Sequence, residues 1–277
     1  MKIHGTAKAG AISKKDFGVA FSGAAGGESY QSGLGDDADW TTVANLTTND
    51  DVASPSGLGD KSWLSNGSST EISLTAAQLI PTSSNFTIVT WVYPTTIKSQ
   101  NVFNSASGAL CTVYFQSSGT KLEFIVKDGS GNNAGAENDF DWQADTWYMI
   151  SCTFNATTGQ AIGYVFDTSD DSKTKVVDNT NSNCNSVASN TNWRMMKAGT
   201  ETFAGRINSM AVWNEILDSD ELDELFATGD GVTFDNVEKT KIENGGVWGI
   251  LAKTLFLGGP RGGLPERLRH RILRYCM

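Results

Sequence analysis

The sequence predicts an all-β protein: half-buried strands in a sandwich or barrel, one short helix near residues 219–228, and an extension at each end. Three observations carry this. Of the 277 residues only 19% are charged, below the usual quarter, and Ser, Thr, Asn and Gly fill the polar positions. Gly (29) and Trp (8) are abundant, a mix that suits strands joined by turns better than a helical bundle. From residue 62 onward, short segments alternate apolar with polar side chains and are separated by Gly, Asn, Ser and Asp clusters.

Residues 1–61 are rich in small side chains and weak in periodicity, and GVAFSG (18–23) is the short strand they suggest. GLGDDADW (33–40) and GLGDKSW (57–63) echo one another, and read as two Gly-Asp turns ahead of Trp-bearing segments rather than as a repeat architecture. The strands that follow are STEISLT (69–75), NFTIVTWVYP (85–94), ALCTVYFQ (109–116), KLEFIVKD (121–128), TWYMISCTFN (146–155), QAIGYVFDT (160–168), WRMMKAG (193–199) and AGRINSMAVWN (204–214). In 85–94, Phe86, Ile88 and Val92 share one face while Val89, Trp91 and Tyr93 share the other, so this strand is expected to be central and covered on both sides. In 146–155, Tyr148, Ile150, Cys152 and Phe154 form the expected core face. The helix opens at Asp218 or Ser219 as cap, with Asp220 and Glu221 in its first turn at the positive end of the helix dipole. Leu222, Leu225 and Phe226 then share one face, and Gly229 is the expected C-cap. Beyond it, Pro265 can start a last basic helix over 265–276.

The formal net charge of -10 is unevenly spread. Residues 1–20 carry four Lys and one Asp, and residues 239–277 carry eight Lys+Arg and two acids. Residues 21–238 carry nine Lys+Arg and 28 acids. An acidic body does not suit a phosphate backbone, so no nucleic acid is expected on it, and the two basic ends read as docking arms. His4 and His270 are the two His, so the body has no His for triad, general-base or metal chemistry. Cys111, Cys152, Cys184 and Cys276 are widely spaced, neither a zinc pattern nor a disulfide framework. No apolar stretch reaches the length of a membrane span, and the N-terminus lacks a secretory pattern. Asn45, Asn66, Asn85 and Asn155 would be glycosylated only in a eukaryotic secretory pathway, which that lack disfavours.

Four stretches carry a family resemblance: WLSNGSSTEISLT (63–75), NFTIVTWVYPTT (85–96), DTWYMISCTFNATTGQAIGYVFD (145–167) and AGRINSMAVWNEILDSDELDELFATG (204–229). In this order and spacing, residues 62–229 resemble a laminin-G-like domain of the concanavalin A-like lectin/glucanase superfamily. The resemblance implies a jelly-roll sandwich of two curved antiparallel sheets, flanked by an N-terminal arm (1–61) and a Gly-rich basic tail (230–277). It departs from the family after Asp167, where Thr168 and a long polar stretch to Asn192 replace an Asp-Gly turn.

Relatives of this fold bind sugars, mediate adhesion, hydrolyse polysaccharides or serve as structural modules, so function must be read from the site. Glucanases of the superfamily place carboxylates two residues apart along one strand. Here Glu137, Asp139 and Asp141 would share a face if extended, with Glu137 and Asp141 as the catalytic pair of a glycoside hydrolase; the other reading is a solvated acidic edge. Rim loops of such folds often hold Ca²⁺, and DDAD (36–39), DGSGNN (128–133) and DTSDDS (167–172) offer oxygens, Asp167, Asp170 and Asp171 foremost. Sugar recognition combines aromatic platforms with planar polar groups. Trp142 and Trp193, at strand edges, with Asn132 and Asn133, are the candidates, and 128–133 and 167–193 the candidate ligand loops. No cofactor is required by any of this. The expected function is a non-enzymatic attachment or surface-display module of a phage virion. It would be capsid decoration or tail-associated, assembled in the host cytoplasm with other virion proteins as a homo- or hetero-oligomer and able to touch a cell-surface glycan. A free carbohydrate-binding lectin, extracellular by a non-classical route, is the second reading and a glycoside hydrolase the third.

Overall fold

A computed structural model describes residues 2–4, 20–22, 42–44, 46–49, 51–55, 58, 62–74, 80, 82–105, 111–189, 192–213 and 215–229. All of them belong to the first compact unit of the chain, 1–235. The loop 36–39, most of the arm 1–20, Cys276, the 265–276 helix and the segment 239–277 lie outside the described residues.

The strands in chain order are β1 (Lys2–His4), β2 (Ala20–Ser22), β3 (Thr42–Ala44), β4 (Leu46–Asn49), β5 (Ser62–Asn66), β6 (Glu71–Leu74), β7 (Phe86–Pro94), β8 (Gln100–Ser105) and β9 (Cys111–Gln116). They continue as β10 (Lys121–Lys127), β11 (Asn133–Asp139), β12 (Tyr148–Asn155), β13 (Gln160–Asp167), β14 (Ser172–Thr180), β15 (Trp193–Met195), β16 (Lys197–Ala198), β17 (Glu201–Thr202) and β18 (Ala204–Trp213). Two seven-stranded antiparallel sheets result. The first runs β11-β10-β9-β8-β15-β6-β3, the second β14-β13-β12-β7-β18-β5-β4. Their inner faces enclose the core of a jelly-roll-like sandwich. Strands β3 and β4 take one edge of each sheet, so the sandwich draws on residues 42–49 as well as on the chain from 62.

The strand expected to be central is central: β7 is fourth of seven in its sheet, and eight of its nine residues are buried. Tyr148, Ile150, Cys152 and Phe154 face the core, as expected, and Phe86 packs against Phe154 and Phe124. Cys111, Cys152 and Cys184 are buried and unbridged, and burial raises each thiol's pKa. Among the strands that the sequence reading leaves out are β1, β3 and β4 in residues 1–61 and three longer ones beyond. QNVFNS (β8), NAGAEND (β11) and SKTKVVDNT (β14) are polar enough to read as connections, yet each pairs along its length. Gly135 (φ 108) lets β11 do so, because a Cβ there would run into the carbonyl of Phe124.

The outer face of the second sheet is closed by the chain itself. Helix α1 (Ser219–Phe226) is capped by Asp218, which accepts from Glu221 N while Glu221 Oε2 accepts from Asp218 N, a full capping box. Its buried Leu222, Leu225 and Phe226 pack down, and Phe226 stacks on Trp91 at 5.7 Å. The left-handed residue ending the helix is Ala227 rather than Gly229, which closes a following 3₁₀ turn. Residues 51–55 strap the remainder: Arg206 pairs with Asp51, Asn208 Nδ2 donates to Ser54 Oγ at 2.7 Å, and Trp147 Nε1 donates to the Ala53 carbonyl at 2.9 Å.

Candidate functional site

The outer face of the first sheet is built differently. Core-facing Phe103 lies opposite Met195 and Val113, and Val113 opposite Phe124. The alternate positions therefore point outward. They form two rows across the sheet. One runs Ser73–Arg194–Asn104–Thr112–Ile125–Gly135, and the next Asn101–Tyr114–Glu123–Glu137.

The middle of these rows is polar and buried. Asn101 is 0% exposed, Thr112 4%, Tyr114 5% and Asn104 8%. Nδ2 and Oδ1 of Asn101, Oδ1 of Asn104 and Oγ1 of Thr112 have no hydrogen-bond partner among the described residues. A buried polar group without a partner costs ~1–3 kcal/mol, so four such atoms on two adjacent strands of one face call for a reason. Charged neighbours hold the surround in place. Glu71 accepts from Lys197 Nζ at 2.9 Å and lies 3.4 Å from Arg194 Nε. Burial and a hydrogen bond to Glu201 push the Tyr114 hydroxyl well above its ordinary pKa, keeping it a neutral donor. Burial likewise raises the Glu123 carboxyl, which accepts from Gln116 Nε2 at 3.0 Å. Amide, hydroxyl, phenol and guanidinium groups in a desolvated row are the donor and acceptor set that sugar hydroxyls use. No nucleophile with an adjacent general base stands among them.

The residues singled out from sequence fall elsewhere. Trp193 is fully buried and stacks on Phe103 at 5.5 Å with planes 10° apart, so the expected exposed platform is corrected to a core stack. Trp142 is 5% exposed and stacks on Phe115 at 4.1 Å; it too is no open platform, though it walls a surface cavity. Burial follows from aromatic partners brought in by distant strands, which a turn-rich local sequence does not reveal. Asn132 is spent on its own loop, its backbone N–H and Nδ2 both donating to Asp128 at 2.8 Å. Asn133 opens β11, where its carbonyl accepts from Asn181 Nδ2. Within the stretch 167–193, Ser172–Thr180 form edge strand β14 rather than part of an open loop.

Asp167 and Asp170 use Oδ1 to accept from Ser169 N and Ser172 N within the β13–β14 turn, where Asp171 also sits. Among the described residues no group of three or more His, Cys, Asp or Glu is placed to hold a metal ion. Glu137 and Asp139 lie on the exposed edge strand β11, with Glu137 3.2 Å from Lys121 Nζ, and Asp141 follows the strand's end. Asp139 and Asp141 line the cavity that Trp142 walls, and Glu137 does not.

Two antiparallel sheets around one core, with a buried polar row on the outward side of the first, form a jelly-roll-like β-sandwich. The sequence profile of the concanavalin A-like lectin/glucanase superfamily matches residues 66–223, more than half of the chain, and the chain belongs to that family. No curated protein sequence matches it. Among solved structures, one described as a receptor binding domain shares 12% identity with a TM-score of 0.54, covering 78% of this chain and 51% of its own. The binding domain of botulinum neurotoxin serotype G shares 15% identity (TM-score 0.47), covering 72% of this chain and 47% of its own. Domain 4 of AbnA, an extracellular arabinanase from Geobacillus stearothermophilus in complex with arabinotriose, shares 13% (TM-score 0.43), covering 68% of this chain and 86% of its own. The chain thus spans about half the length of the first two. Such distant likeness speaks to the fold.

Proposed function

We propose that this chain is a non-enzymatic binding module that holds a glycan against the outward face of the first sheet. The observation that carries it is the set of four buried, unpartnered polar atoms on Asn101, Asn104 and Thr112. A ligand rich in hydroxyls would satisfy them once side chains move aside to open this buried row, and it would return the desolvation cost that the free protein carries. The carboxylates put forward for hydrolysis are an exposed, ion-paired Glu137 and an Asp141 on a different feature, which favours binding over catalysis. Retardation of the protein in native gels containing soluble polysaccharides tests this. Migration unaffected by every polysaccharide class would overturn it, and release of reducing ends would replace it with the hydrolase.

The setting we propose is the surface of a virion, as capsid decoration or a tail-associated component, with the acidic sandwich displayed outward. The basic segments 1–20 and 239–277 on either side of that body support a role in a larger assembly. Mass spectrometry of purified particles should find the chain in stoichiometric amount. Its absence there would favour a free lectin.

A further inference from the structure

Strands β11 and β14 end the two sheets on the same side of the sandwich, β11 pairing only with β10 and β14 only with β13. They lie beside each other, and asparagine side chains bridge them. Asn181 Nδ2 donates to the Asn133 carbonyl at 2.9 Å, Gly135 N donates to Asn179 Oδ1 at 3.2 Å, and Asn138 Nδ2 donates to the Val176 carbonyl at 2.6 Å. Each step forward along β11 is matched by an equal step back along β14, so the two edges run antiparallel in a fixed register. We propose that Asn138, Asn179 and Asn181 seal this seam against a strand added by a second copy of the chain.

An edge strand offers N–H and C=O groups that another chain can pair with, and proteins commonly guard such edges with charge. Residues 133–136, Asn-Ala-Gly-Ala, carry none. A carboxamide can stand in, because like the peptide group it holds both a donor and an acceptor. Here Asn179 takes up an edge N–H, while Asn138 and Asn181 take up edge carbonyls. Val176, one of those carbonyls, falls out of the β13 register at a bulge. Beside the seam lie Ala134, Val176 and Val177, all buried in the core, so an opened edge would present apolar surface together with its backbone groups.

A second copy is the partner this arrangement excludes. Each copy brings the same two edges, and β14 against β14 about a two-fold axis makes an antiparallel pair. Asn138 and Asn179 are exposed, so replacing them removes the bridges without emptying the core.

Size-exclusion chromatography with light scattering, run on the full chain from dilute to concentrated solution, tests this, with circular dichroism melts alongside. The wild type should keep one size. Asn138→Ala with Asn179→Ala should still melt cooperatively, and should grow by about twofold or more in apparent mass as it is concentrated. Asn138→Lys with Asn179→Asp keeps a donor and an acceptor and adds charge, so it should keep the wild-type size. A folded double Ala variant at wild-type size would overturn the proposal and leave the amides as internal bridges alone. Growth of the wild type itself, or of the Lys/Asp variant to the same extent, would place the contact elsewhere and equally overturn it. Should the double Ala variant lose its cooperative melt, Asn179→Ala alone decides by the same reading.

Discussion

Asn104 of β8 lies directly opposite Thr112 of β9 on the outward face of the first sheet, and Asn104 Oδ1 and Thr112 Oγ1 are both buried without a partner among the described residues. A purely structural pair would be expected to be satisfied or replaced by apolar groups. Thr112→Val keeps the shape and removes one orphan. Its stability should match or exceed the wild type's, within about 1 kcal/mol, in chemical denaturation. Its affinity for a glycan bound on this face should fall about tenfold, or about 1.4 kcal/mol. Loss of stability with binding intact would mark the threonine as structural.

Trp193 should behave in the opposite way. It is fully buried against Phe103, so Trp193→Ala removes core and leaves a cavity, at a cost of ~3–5 kcal/mol. A thermal melt should show a large drop in midpoint. A variant that melts normally yet loses sugar binding would return Trp193 to the surface.

The cap of α1 holds the lid over the second sheet. Asp218→Ala removes the side-chain acceptor of Glu221 N, leaving the bond from the 218 backbone N–H to Glu221 Oε2, and should cost about 1 kcal/mol, read by denaturation. Phe226→Ala, which uncovers Trp91, should cost ~3–5 kcal/mol and redshift tryptophan emission.

Asp128 supplies a pH signature. Its carboxylate accepts from Asn132 Nδ2, Asn132 N and Ser130 N, and these bonds, the Asn132 side chain first, hold it below the ordinary carboxylate range. A lowered folded pKa adds stability that is present above the ordinary carboxylate pKa and lost as pH falls through the folded value. Asp128→Ala should therefore lower the melting temperature at neutral pH, and the gap to wild type should close below about pH 4. A gap that widens in acid would contradict this.

The turn carboxylates Asp167 and Asp170 already accept backbone N–H groups. EDTA should leave the melting temperature unchanged, and a clear drop would show a bound ion that stabilises the fold.

Much of the fold is legible in the sequence because strong periodicity survives. The two apolar faces of β7 mark a covered central strand, and Asp218 with Glu221 marks the helix start. Strands β8, β11 and β14 escape because one of their faces is polar and the other is built partly from Ala or short runs of Val, below the contrast that alternation needs. The polar rows escape for a different reason. Asn101 and Asn104 are three residues apart, and a bulge between Asn101 and Phe103 puts both outward; only the pairing of β8 with β9 and β15 shows that. The signal available was modest: QNVFNS places Asn on both sides of Val102-Phe103 in a strand-length segment. For Trp142 and Trp193 the local sequence points to turns, while partners far along the chain, Phe115 and Phe103, decide burial.

The most direct test is a glycan microarray probed side by side with the full chain and its Thr112→Val variant. Binding of the wild type to a defined glycan class, with the signal largely lost in a variant that melts normally, is the predicted result. No binding by the wild type, or equal binding by both proteins, would contradict the assignment of the outward face of the first sheet as the glycan site.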